Sequence, residues 1–92
     1  MMKNDSFEIT IKRIHRLENN KFVRAFVDIA LNDALLIKSL RVLNRKDGLS
    51  VAMPQEQAKD KKWYDRVQCL NDEIKEQITQ EVLSAYNADS SF

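Results

Sequence analysis

In the stretch "FEITIKRI", Phe7, Ile9 and Ile11 fall on one side and Glu8, Thr10 and Lys12 on the other. Period two over this length predicts a half-buried strand, and its β-branched residues favour one. "RLENNK" follows with turn chemistry, because Asn tolerates the left-handed region and bonds to its own backbone. "FVRAFVDIAL" resumes the alternation, with Val23, Ala25, Val27, Ile29 and Leu31 on one face and Phe22, Arg24, Phe26, Asp28 and Ala30 on the other. The second face mixes aromatics with charges, which predicts partial cover by another element or subunit. The two strands together predict a hairpin.

Asn32 and Asp33 supply the next turn. "ALLIKSLRVLN" fits neither period well: Leu36, Leu40 and Leu43 suit a helix, and a strict alternation leaves leucines on both faces. Its short length between two turn signals selects a strand. "RKDG" closes a tight turn in which Gly48, the single glycine, is free to take positive φ. "LSVAM" is a strand that Pro54 ends, since proline has no N–H for a ladder. A polar loop follows, with a short fifth strand placed at "KWYDRV". In "NDEIKEQITQEVLSAYN", Ile74, Ile78, Val82 and Tyr86 recur every four residues, with Leu83 and Ala85 widening the stripe. That spacing predicts an amphipathic helix of about four turns, capped by Asn71 or Asp72. The predicted fold is α+β: a small antiparallel sheet of four to five strands covered by a C-terminal amphipathic helix.

Composition narrows the function classes. A chain of 92 residues makes one small domain, read as spanning 1–92 with frayed ends at 1–6 and 88–92. The net charge of +1 creates no strong field, but the charges are uneven. Residues 1–50 carry ten Lys/Arg against six Asp/Glu, and residues 51–92 carry five against eight. Any basic face therefore belongs to the first half or to the loop around Lys61. One cysteine, Cys69, excludes an internal disulfide and fits a reducing compartment. "MMKNDSFEI" has no long apolar region, so no signal peptide is expected. The longest apolar run is four residues, "ALLI", far short of a membrane span. A cytoplasmic protein with no membrane partner is expected.

Catalytic and metal chemistry lack their parts. His15 is the sole histidine, flanked by Arg13 and Arg16, and Cys69 has no histidine nearby in sequence. One Cys and one His do not make a usual structural zinc site, and a single glycine leaves no phosphate-cradling glycine-rich loop. No enzyme, metal or cofactor is expected. Cys69 reads as a small core filler. Binding chemistry is better represented: Lys59, Lys61, Lys62 and Arg66 surround Trp63 and Tyr64. Cations pair with phosphates and exposed rings stack on bases. Solvated lysines beside a buried ring give the same string, and composition alone slightly favours that plainer reading.

One resemblance adds to this. "SLRVLNRKDGLSVAMPQ", then a polar loop with an aromatic and Asp65, then Leu70-Asn71 and an amphipathic helix, resembles the SpoVG (septation regulator) family of bacteria. The tokens are Arg41-Val42, Gly48-Leu49, Val51-Ala52-Met53-Pro54, Asp60, Asp65 and Asn71, and the match runs from about Phe7 to Tyr86. The resemblance implies a small α+β homodimer that regulates bacterial genes and binds DNA and also RNA without catalysis. Phosphate contacts are then expected from Arg41, Lys59, Lys61, Lys62, Arg66 and Lys75, with Trp63 or Tyr64 on bases. The dimer interface is expected at Phe22 and Phe26. In the family the segment after Pro54 is usually more basic and a glycine often follows the Asp60 position. Here Gln55, Glu56 and Gln57 replace most of that charge and Lys61 stands in the glycine's place. The family's His-Pro is Gln68-Cys69. The alternative reading is a dimer that uses the same loop to contact a protein partner.

Overall fold

The computed structural model describes residues 7–88; of the ends expected to fray, 1–6 and 88–92, all but Ala88 lie outside them, and Ala88 is the helix C-cap. Three turns fold the first half of the chain back on itself. In the first, Asn20 Oδ1 accepts the N–H groups of Phe22 and Val23 at 2.9 and 2.8 Å. In the second, Asn32 and Asp33 both take φ of 54°, and the Ala34 N–H donates to the Leu31 carbonyl at 2.9 Å. Two successive left-handed residues match the twist of the flanking strands, and Asn and Asp tolerate that region best after glycine. In the third, Gly48 has φ of 120°. An added Cβ there would meet nothing within 4 Å, so backbone conformation alone demands glycine.

These turns join β1 (Ile9–Arg16), β2 (Val23–Leu31), β3 (Leu35–Arg45) and β4 (Gly48–Ala52) into an antiparallel sheet of order β1-β2-β3-β4. The chain then makes β5 (Gln55–Gln57) and β6 (Trp63–Asp65), followed by the helix α1 (Asp72–Asn87). The strand expected near "KWYDRV" is present, but it does not join the main sheet. It pairs with Gln55–Gln57 as a separate two-stranded ribbon. Pro54 ends β4 and opens that ribbon, and its carbonyl accepts the Arg66 N–H at 2.8 Å. The segment after Pro54 is thus an ordered hairpin in place of the expected loop.

Three register shifts interrupt the sheet, one at Val23/Ala25 and two beside Asp28, and the last of these explains why the hydrophobic pattern of β3 is irregular. The β1–β2 register passes from Ile11↔Ile29 to Arg13↔Asp28, leaving Lys12 as the extra residue. Ile14 is thereby turned to the same face as Ile9 and Ile11, opposite Val27. In β3 the register passes from Ile29↔Ile37 to Val27↔Leu40, so Lys38 and Ser39 bulge, with Ser39 at φ 69°. The bulge lets Leu35 and Ile37 share a face with Leu40 and Val42 despite the three-residue step. Asp28 holds it in place: its Oδ1 accepts the Ser39 N–H at 3.0 Å.

One face of the sheet receives the helix. Ala25, Val27, Ile29, Leu40, Val42, Val51 and Met53 form a single buried cluster with Ile78 and Val82. Ile74, Leu83 and Tyr86 pack at its margin, as the four-residue spacing predicts. Burying a Val or Ile of this kind stabilises by about 1.5–3 kcal/mol. Asn71 caps the helix start by accepting the Ile74 N–H on Oδ1 at 2.8 Å, and Asp72 and Glu73 face the positive end of its dipole. No helix among the described residues is long and apolar enough to cross a membrane.

The last turn of α1 carries no basic residue of its own. Arg16 of β1 supplies the charge from 70 residues away: its Nη2 donates to the Tyr86 carbonyl at 2.9 Å, and its guanidinium lies 4.7 Å from the Tyr86 ring centroid. This clamp ties the helix end to the first strand. Arg16→Ala is expected to lower stability by about 1–2 kcal/mol, through the lost hydrogen bonds to the Tyr86 carbonyl and, longer at 3.4 Å, the Ala88 carbonyl, and one exposed cation–π contact. Chemical denaturation measures it, and Arg13→Ala, with no such bond, is the control.

Candidate nucleic-acid interface

The β5–β6 ribbon brings together most of the residues singled out in the sequence. Gln55 pairs with Asp65, Glu56 with Tyr64 and Gln57 with Trp63. At the tip, the Lys61 N–H donates to the Ala58 carbonyl and the Ala58 N–H to the Lys62 carbonyl, both at 2.9 Å. Lys59, Lys61 and Lys62 are therefore held at one end of the ribbon, all exposed, beside Trp63 and Tyr64. Trp63 is 60% and Tyr64 44% exposed, so the rings are not core residues. The plainer sequence reading, lysines around a buried ring, does not describe this tip.

The acidic residues of the ribbon are occupied. Glu56 Oε1 accepts from Arg66 Nε at 2.7 Å, the one ion pair found among the described residues. Asp60 Oδ1 accepts the Lys62 N–H at 2.9 Å and its Oδ2 the Tyr64 hydroxyl at 2.7 Å. The Lys62 N–H, then the Tyr64 hydroxyl, hold the Asp60 carboxyl below its ordinary range. The same bond raises the Tyr64 phenol. Asp65 accepts from Gln55 Nε2 at 2.8 Å. Three of the polar tokens of the family pattern, Asp60, Asp65 and Asn71, thus build the turn, the ribbon and the helix cap.

Lys61 adopts φ of 69°. A glycine, which the resemblance implies at that position, would relieve this conformation, because a side chain in the left-handed region costs about 1–2 kcal/mol. Gly would add unfolded-chain entropy of roughly 0.5–1 kcal/mol, so relief of strain wins narrowly. Lys61→Gly is expected to stabilise the protein by a few tenths to about 1 kcal/mol while removing one tip charge. Denaturation and nucleic-acid affinity measured on the same variant should therefore move in opposite directions.

The remaining predicted residues lie elsewhere. Arg66 is at the ribbon base, engaged with Glu56. Lys75 lines a separate hollow with Asp65, Cys69 and Asp72 at the helix start. Burial pushes the Cys69 thiol up, Lys75 partly opposing it, so the thiol stays protonated at neutral pH. Cys69 packs against the core as a filler. Arg41 is half-buried, and its Nη2 donates to the Met53 carbonyl at 3.2 Å. It braces the end of β4 and is not at the tip. Phe22 and Phe26 are 51% and 37% exposed, and each lies beside cations. Phe22 lies under Arg45, whose guanidinium is 5.8 Å from the ring centroid. Phe26 sits beside Arg13, His15, Asp28 and Lys38 on the sheet face opposite the helix. Those four residues were not picked from the sequence. The available signal was the mixed aromatic and charged face of β2.

Comparison with known proteins agrees with this fold and covers nearly all of it. The SpoVG family profile matches residues 7–88. A protein of Fusobacterium nucleatum is 31% identical over 83 residues, spanning 88% of this chain and 89% of its own. One of Archaeoglobus fulgidus is 32% identical over 79 residues, spanning 86% and 93%. One of Staphylococcus carnosus is 29% identical over 80 residues, spanning 87% and 75%. Each carries a name that designates it a candidate septation protein, SpoVG. With the family profile running from the first strand to the helix C-cap, the chain belongs to the SpoVG family.

Proposed function

We propose that the protein is a non-catalytic, cytoplasmic regulator that binds DNA and RNA through the β5–β6 ribbon and acts as a homodimer. The observation that carries this is the charge arrangement at the tip. Lys59, Lys61 and Lys62 have no ion-pair partner among the described residues, while Glu56 and Asp60 are satisfied within the hairpin. A two-stranded ribbon has the width of a DNA major groove. Lysines at its tip meet phosphates, and the exposed Trp63 offers a stacking surface for an unpaired base. The names of the relatives mention septation, which we take as the process this protein serves.

Dimerisation would double a modest charge by presenting two ribbons. Exposed apolar side chains available to it include Leu36, 54% exposed on the same sheet face as Phe26, and Leu70, 96% exposed before the helix. Phe22 and Phe26, 51% and 37% exposed, remain the residues proposed for the contact itself. The exposed Trp63 and Tyr64 also support a second reading, in which the dimer uses the same ribbon to contact a protein partner. Mobility shifts with single- and double-stranded DNA and RNA at low salt test the first reading. Binding of at least one of these supports it, and no binding to any of them defeats it.

A further inference from the structure

Two of the sheet's three register shifts lie on either side of Asp28, one in β1 at Lys12 and one in β3 at Lys38–Ser39. Between them, on the face away from the helix, is a shallow cavity of about 290 Å³ lined by Arg13, His15, Phe26, Asp28, Lys38 and Ser39. Arg13 and His15 come from β1, Phe26 and Asp28 from β2, and Lys38 and Ser39 from β3. Neither Arg13 nor Lys38 makes an ion pair with a described residue, although Asp28 lines the same cavity. Asp28 spends Oδ1 on the Ser39 N–H and keeps Oδ2 for another donor. Phe26 is more than a third exposed in the middle of the sheet.

An aromatic face, two unpaired cations and one free carboxylate oxygen match the parts of a nucleotide. We propose that this cavity binds one nucleotide of a single strand. The base stacks on Phe26, the phosphate sits with Arg13 and Lys38, and Asp28 Oδ2 accepts from a base amino group or sugar hydroxyl. The carboxylate would repel a phosphate placed beside it, which assigns it to the donor side of the nucleotide. A volume near the lower end of ligand cavities, about 300 Å³, suits one unit and not several. Recognition of unpaired bases on an open sheet by stacking is a general solution for single strands. The site rests on the nucleic-acid reading above, but its residues are distinct from those of the ribbon.

The test uses the full chain, a short labelled single strand and a duplex of the same sequence, in low salt. The variants are Arg13→Gln/Lys38→Gln, Phe26→Leu, and Lys59→Gln/Lys61→Gln/Lys62→Gln. The sheet variants are expected to weaken single-strand binding roughly tenfold or more while leaving duplex binding unchanged. Thermal melting confirms that each is folded, and the conservative Phe26→Leu guards against misfolding. Single-strand affinity unchanged in both sheet variants, but reduced in the lysine variant, overturns the cavity proposal and leaves the ribbon reading standing. No binding by the unaltered protein to either probe overturns both. Adenosine monophosphate, followed by the Phe26 ring resonances, separates the sources. Shifts with the strand alone place the site on a polymer, shifts with both extend it to free nucleotides, and shifts with neither overturn it.

Discussion

Leu40→Ala is expected to destabilise the protein by about 2–5 kcal/mol. Leu40 is fully buried, pairs with Val27 across the centre of the sheet, and belongs to the cluster that receives Ile78 and Val82. Truncation removes most of its apolar surface and leaves a cavity that the flanking strands cannot fill without breaking their ladder. Small domains sit at the low end of the usual 5–15 kcal/mol of stability, so about 2–5 kcal/mol is a large share of the whole. The melting temperature should fall by roughly 10 °C or more, since each kcal/mol moves it about 4–8 °C in a domain of this size. Leu35→Ala is the contrast: the side chain is 60% exposed, and the change should stay within about 0.5 kcal/mol. Equal losses at both positions would mean that Leu35, on the same face as Leu40, is covered as deeply as the core.

The second large effect concerns binding. Lys59→Gln/Lys61→Gln/Lys62→Gln removes every tip cation without touching the turn, which rests on Asp60 and backbone bonds. With three phosphate contacts, counterion release gives the unaltered protein a loss of roughly 40-fold in duplex affinity between 50 and 200 mM salt. The variant should bind at least about tenfold more weakly at 50 mM salt, and near equally to the unaltered protein at high salt. Stability should barely change, because exposed lysines without partners contribute little. Arg66→Gln should weaken binding less, since it already neutralises Glu56 at 2.7 Å.

Strand number, turn positions and the helix were legible because each rests on local chemistry. Asn32-Asp33, Gly48, Pro54 and Asn71 each act within a few residues of themselves. β3 was harder to read, and the cause is one residue. The left-handed Ser39 shifts the phase of the alternation between Ile37 and Leu40, and its support is Asp28 on the neighbouring strand, 11 positions away. The clamp of Arg16 on the helix end, at a separation of 70 residues, has no local signature at all.

The candidate site divides in the same way. The tip lysines were visible as a cluster because a hairpin keeps neighbours in sequence near one another. The pairing of Gln55–Gln57 with Trp63–Asp65 was missed because "QEQ" has neither β-branched residues nor alternation. That pairing is what makes Arg66 the partner of Glu56, so an opposition to phosphate read from the sequence is internally neutralised. Arg41 shows the reverse case. As a string it is a cation beside a strand, and in the fold its guanidinium is half-buried against the Met53 carbonyl.

The central claim is that the three tip lysines form the phosphate contact. The most direct measurement is the salt dependence of duplex affinity for the unaltered protein and the triple lysine variant. The logarithm of affinity is expected to fall with the logarithm of salt at a slope steeper in the unaltered protein by about 2.7 for each ribbon on the duplex, about 0.9 per lost phosphate contact. Equal slopes for the two proteins would contradict it.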